Sequence, residues 1–399
     1  MRKKAFSFKN IFAIALAFLM VNMPLQALAA MSALEQRLLL LEEKMETQEK
    51  SFSWLKKFKP KADLRLRHEQ LFRGSGNGTS RKFDRTRERI RFRLGGEYFF
   101  TKNLKAGFRL VTGSDDPVST NQTLDNTFST KNFLFDRGYA DFKYNILQLR
   151  GGKFGVPFMK SELLWDSDLS LEGAAEKISY AFGGTKLELI LGQLVVEEFG
   201  PSATNSNKDD PYLVAYQGVV SQKISGLGNA KIGVGFFDYQ GLAGNVSTQA
   251  TKGNTVDAAG NLVTHYDIFD ILGEFKTEMI MGVPIKVFAE YVQNVSGRAD
   301  NLENKAWQVG AKVGKSVKKF GDWQAKYIYR EVERDAVFDA VSDSDFHEGG
   351  TNAKGSELGL KIGLYDGILF NASYFITEDI TGPKDQLDRL QLDLVFNLF

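Results

Sequence analysis

The sequence predicts an all-β chain: a transmembrane antiparallel β-barrel of about 16 strands, preceded by a removable leader and a short coiled-coil helix. Three observations carry that expectation. The 399 residues include 32 Phe, 13 Tyr and 38 Gly against 8 Pro and no Cys, the balance of aromatic-rich strands joined by glycine turns. From Lys61 onward, apolar residues recur every second position, the strand period. The joins between these segments alternate short and long, as they do in a barrel with turns on one side of a membrane and loops on the other.

Residues 1–29 read as a signal peptide. Arg2, Lys3, Lys4 and Lys9 precede an apolar stretch, Ile11 to Val21, and Ala27-Leu28-Ala29 supplies the small-x-small pattern for cleavage after Ala29. The full chain carries a formal charge of +2; without the four leader cations it is slightly negative, which removes the usual basis for nucleic-acid binding. Residues 30–59 read as a periplasmic coiled-coil segment. Leu34, Leu38, Leu41, Met45 and Phe52 fall on one heptad seam and suit self-association, with an amphipathic linker as the alternative. Pro60 is expected to end the helix, leaving residues 60–399 for the barrel.

Alternation is plainest over residues 84–100, where Arg85, Arg87, Arg89, Arg91 and Arg93 share one face and Ile90, Phe92 and Leu94 the other. It recurs in Leu104/Ala106/Phe108, Leu187/Leu189/Leu191, Ile285/Val287/Ala289/Tyr291, Leu358/Leu360/Ile362 and Leu390 to Leu398. Crossing a tilted membrane takes about 9–11 residues per strand, a length unusual in a soluble sandwich. Short turns such as Thr101-Lys102, Gly183-Gly184 and Tyr365-Asp366 alternate with loops at 73–83, 114–132, 155–175, 198–211, 240–262, 295–304, 334–354 and 377–387. An even strand count puts both ends in the periplasm.

Five stretches carry a resemblance to a known family: Asp84 to Gly95, Arg150 to Phe158, Leu164 to Gly173, Asp343 to Asn352, and the closing Asp388 to Phe399. In these the chain resembles the putative porin family related to the phosphate-selective porins of Gram-negative outer membranes. The resemblance implies a water-filled, sixteen-stranded channel, commonly a homotrimer, in contact with outer-membrane lipid. With Phe399 last, the apolar face of the final strand is Leu394, Phe396 and Leu398, offset from the family's usual ending.

If Ile90, Phe92 and Leu94 face lipid, the arginines between them face water, because charge on the lipid face is costly. Arg65 and Arg67, then Arg85, Arg87, Arg89, Arg91 and Arg93, then Lys105 and Arg109 would form a basic pore wall over three strands and draw anions. Neutralisation by Asp63, Glu69 and loop acids is the competing reading. In porins of this architecture the third long loop folds inward; here it carries Glu162, Asp166, Asp168 and Glu172, an acidic constriction facing the wall. Small hydrophilic solutes and ions would pass by aligning their dipoles in that field. An anion- or phosphate-selective channel, a cell-wall tether and an outer-membrane hydrolase remain alternatives.

Other chemistry is thinly represented. His68, His265 and His347 are scattered, and thiolate sites are excluded. No nucleophile elbow, phosphate loop or dinucleotide fingerprint occurs, so no catalytic residue, cofactor or resident metal is expected. Asp343, Asp345 and Glu348 could ligate Ca²⁺ as clustered hard oxygens, or form a solvated acidic loop. Deleting residues 31–55 tests the helix: the native oligomer on a mild-detergent gel is expected to weaken while conductance per barrel stays nearly unchanged, and an unaltered oligomer refutes the seam.

Overall fold

The computed structural model describes residues 25–74, 82–199, 210–244, 252–278, 282–296, 303–383 and 385–399; most of the expected signal peptide lies outside them. The chain divides into two units, Met1–Lys59 and Pro60–Phe399. In the first, helix α1 (Leu25–Ser51) is followed by a 3₁₀ turn, Ser53–Lys57. Leu34, Leu38, Leu41, Met45 and Phe52 are all exposed, as are Leu39 and Leu40. Four successive leucines span most of the helix circumference, so no single seam stands out. No helix among the described residues is long and apolar enough to cross a membrane. Pro60 does not end the helix: the first strand already begins at Phe58, and proline is tolerated near a strand's start.

The second unit is one antiparallel meander. Its long strands are β1 (Phe58–Gly74), β2 (Lys82–Phe99), β3 (Leu104–Thr112), β4 (Phe133–Tyr144), β5 (Leu147–Gly155), β6 (Ser170–Phe182), β7 (Thr185–Val195) and β8 (Tyr212–Ile224). They continue with β9 (Gly228–Gln240), β10 (Tyr266–Thr277), β11 (Ile285–Asn294), β12 (Lys305–Gly314), β13 (Trp323–Val332), β14 (Ala353–Tyr365), β15 (Ile368–Asp379) and β16 (Gln386–Asn397). Each pairs with its sequence neighbours, and β1 pairs with both β2 and β16, so the sixteen strands close. The β1–β16 seam runs from Asp63↔Asn397 to Gly74↔Gln386. A two-residue strand, Gln122–Thr123, pairs with Arg89 and Ile90 of β2 above the point where β3 stops.

The short turns follow their residues. Gly183 and Gly184 both take positive φ, 51° and 87°, the geometry a two-residue hairpin demands and glycine supplies. One strand is much longer than the sequence suggests: β6 begins at Ser170 rather than near 176. Its first half, Ser-Leu-Glu-Gly-Ala-Ala, has too little contrast between faces to register as alternating.

The two faces of the sheet are inverted relative to a soluble protein. Leu66, Leu94, Leu149, Leu189, Val234, Val309 and Leu360 are exposed, while Arg67, Asp141, Gln217, Glu290, Gln308, Arg330 and Gln391 are buried. Apolar side chains on the outside of a closed barrel meet hydrocarbon, and polar ones collect in the interior. The apolar core lies inside the barrel as well, between the inner faces of β5 to β10 and two inward segments: Phe154, Phe158, Trp165, Leu213, Phe237, Tyr239, Tyr266, Ile268 and Phe338 belong to it.

Arg67 clasps the seam. It lies directly opposite Asp393 and donates to both its carboxylate oxygens, at 2.7 and 3.0 Å. Arg67→Ala leaves a buried carboxylate without its fork and is expected to cost about 3–5 kcal/mol. Urea unfolding in detergent would measure this, and a loss within experimental error would show that the backbone ladder alone holds the seam.

Candidate functional site

The inner face of β1 to β3 gathers Arg65, Arg67, Arg87, Arg89, Arg91, Arg93, Lys105 and Arg109, whereas Arg85 is exposed near the start of β2. Most of these cations meet a carboxylate. Arg87 Nε donates to Glu69 at 2.7 Å and Arg91 to Asp63 at 2.6 Å. Arg93 pairs with Asp168, Arg109 with Asp136 and Lys105 with Glu97. Arg65 is 3.8 Å from Asp393 and bonds Asn121; Arg89 is 3.9 Å from Glu69 and donates to Ser119. The wall is matched by acids in large part but not one for one: Arg65 and Arg67 share Asp393, and Arg87 and Arg89 share Glu69.

Residues 156–169, between β5 and β6, fold against this interior. Trp165 is 1% exposed and anchors the segment, stacking on Phe158 and meeting Phe237 edge-on at 5.3 Å. Met159 exchanges two hydrogen bonds with Gln217 of β8, at 2.6 and 2.8 Å, and Ser161 donates to Glu290 of β11. Asp168 then reaches the arginine wall, also accepting from Thr120 N and Oγ1 at 3.1 and 2.8 Å. Burial pushes its carboxyl up, but Arg93, Arg91 and Arg65 outweigh that and hold it well below the usual carboxylate range. Glu162 faces the other way, toward Lys326, Arg330 and Lys312.

Glu172 is a correction to the sequence reading. It lies in β6, opposite Lys153, with which it forms an exposed ion pair on the face away from buried Phe154 and Leu171. The extra length of β6 carries it out of the inward segment.

A second inward segment, residues 333–352 between β13 and β14, was read as a surface loop. Asp343 accepts from Arg330 at 2.8 Å; Asp345 accepts from Gln391 and Arg389 at 2.7 and 3.1 Å and lies 3.4 Å from Arg67; Glu348 pairs with Arg73. These acids are neither solvated together nor grouped as ligands: no metal-binding cluster of His, Cys, Asp or Glu exists among the described residues. Asp339 caps the neighbouring segment, accepting from the N–H groups of Lys252 and Asn254 at 2.6 and 3.0 Å. The overlooked signal is the apolar set Ala336, Val337, Phe338 and Phe346, all buried, within a stretch otherwise polar enough to pass for a loop.

The sequence pattern of the family described as putative porin matches residues 79–262 and 248–397, most of the chain. The chain belongs to the putative porin family. Its fold is similar to that of OprB from Pseudomonas putida at high pH, with 12% identity and a TM-score of 0.57 over 87% of this chain and 96% of that one. A low-pH structure of OprB (10% identity, TM-score 0.48, 88% and 97% covered) and a triple mutant of Rhodopseudomonas blastica porin (9%, 0.44, 85% and 100%) are also similar. No curated protein matches the chain. Family and fold together support an outer-membrane porin channel. His68 is 2.6 Å from Glu88.

In this porin Asp166 staples the two inward segments. Its oxygens accept from Asp168 N at 2.6 Å and Ser344 N at 2.8 Å, and its own N–H donates to Val341 O. Burial, with Asp343 and Asp168 nearby, pushes its carboxyl up to about 8, against the pull of those two N–H groups. Between about pH 4 and the folded value the native state keeps a proton the unfolded chain has lost. The contribution is therefore complete below that window and is lost as pH rises through it. Asp166→Asn, which cannot ionise, is expected to unfold on heating with a shallower decline over that window than wild type; parallel declines would refute the assignment.

Proposed function

We propose that this porin is a general diffusion channel for small hydrophilic solutes and ions, narrowed where residues 156–169 set Asp168 against the arginine wall. The observation that carries the reading is Asp168, brought by that segment into contact with Arg93 and Thr120. Asp168, paired with Arg93, narrows the path beside the remaining arginines; polar solutes align along that polar rim, and bulky apolar ones lose ordered water without compensation. In this reading the short turns are periplasmic, the N-terminal segment belongs to the periplasm too, and α1 assists assembly as a trimer. An anion-selective channel is the second reading. The Nε atoms of Arg65, Arg89, Arg91 and Arg93 are buried without a hydrogen-bond partner among the described residues, donors that a passing anion or water would satisfy.

Shortening the segment between Lys160 and Asp168 tests the first reading. Conductance in planar bilayers is expected to rise, larger neutral sugars to enter liposomes faster, and anion preference to increase because the wall loses opposing carboxylates. Wild-type conductance and sugar entry in a folded variant would place the constriction elsewhere.

A further inference from the structure

The wall facing Glu162 carries an arrangement that neither closure of the barrel nor loop anchoring requires. Lys286 of β11, Lys312 of β12 and Lys326 of β13 are directly opposite one another in the ladder, and all three point inward with Gln308, Glu290 and Arg330 on alternate positions. Lys361 of β14 sits beside them, opposite Gln324, two residues from Lys326. Like charges directly across a sheet destabilise it. Two members of the row are relieved on the wall itself, Lys286 by Glu274 and Lys326 by Glu357. Lys312 and Lys361 have no ion pair among the described residues.

What faces Lys312 is a carboxylate on a tether. Glu162 enters from the inward segment, and burial, which would push its carboxyl up, is outweighed by Lys326, Arg330 and Lys312, so it stays charged. Glu162 nevertheless makes no hydrogen bond with them among the described residues. Beside it lies a cavity of about 190 Å³ lined by Glu162, Lys286, Phe288, Lys312 and Arg330, among others. The ammonium groups of Lys286 and Lys312 both lie over the Phe288 ring, at 5.9 and 6.0 Å from its centre. A charged group held near a cation row without hydrogen bonds is readily exchanged for one free to make them.

We propose that this lysine row is a subsite for small solute carboxylates, in which Glu162 is a tethered competitor that yields when a solute binds. Lys312 and Lys361 would grip the solute carboxylate and Phe288 would underlie its carbon chain. The proposal rests on the reading of the chain as an open channel, and differs from the arginine wall in that two of its cations, Lys312 and Lys361, are not matched by acids on the same wall among the described residues.

The test uses the full-length protein in planar bilayers with KCl, succinate being added as the probe and block scored against each variant's own KCl current. Succinate is expected to reduce the wild-type current. Lys312→Gln should weaken the block about tenfold, the scale of one lost charge-assisted contact, and Lys361→Gln, at an exposed and unpaired position, should weaken it too if the first variant fails to fold. Glu162→Gln should act oppositely and tighten the block by removing the competitor. A block that is absent in wild type, unchanged by both lysine substitutions, or weakened by Glu162→Gln overturns the subsite. A wild-type protein that carries no KCl current overturns the channel reading itself, so the two failures are distinguishable.

Discussion

Everything else in the molecule depends on the closing of the sheet. Hydrocarbon offers no partner to an N–H or C=O, so a strand can cross a membrane only when both its edges are paired. Here the first and last strands meet over twelve residue pairs, and the seam brings together two segments more than three hundred residues apart. Arg67 and Asp393 mark that join with a buried charge pair. Such a pair is a weaker source of stability than the ladder beside it, and its placement favours one register: a slip of a single residue would turn one of the two charges toward lipid and leave the other unpaired.

Once the outside must be apolar, the interior inherits the polar half of every strand, and the problem becomes how to keep so many charges satisfied. Two segments solve it in different ways. Residues 156–169 bring Asp168 to arginines that the wall alone leaves under-matched. Residues 333–352 do the same for Arg330, Arg389 and Arg67 through Asp343 and Asp345. Both segments also carry hydrophobic anchors, Trp165 and Phe338, so their positions are set by packing as well as by charge.

Much of this was legible in the sequence because a barrel wall has period two and nothing else imitates it over sixteen segments. The arginines of β2 stood out for that reason, and so did the face they occupy. What alternation could not reveal was partnership: that Arg87 meets Glu69 and Arg91 meets Asp63 depends on register between strands. Glu172 was misplaced because Gly173, Ala174 and Ala175 blur the contrast on which the period depends. The segment at 333–352 escaped notice since Asp335, Asp339, Asp343 and Asp345 look like solvated loop acids until their N–H and guanidinium donors are brought in from elsewhere in the chain. The lysine row was invisible for the same reason: Lys286, Lys312 and Lys326 are unremarkable in their own strands and become a row only through pairing.

The interior is thus held in two different ways on its two sides, by paired charges along β1 to β3 and β16 and by aromatic and aliphatic contact along β5 to β10. Dissolved salt acts differently on each. Buried pairs are screened far less than exposed ones even at about 1 M, where the screening length shrinks to roughly 3 Å, while strongly hydrated salts such as sulfate reinforce apolar burial. In concentrated sulfate the side around Trp165 therefore tightens, while the charged side, held out of water, changes little.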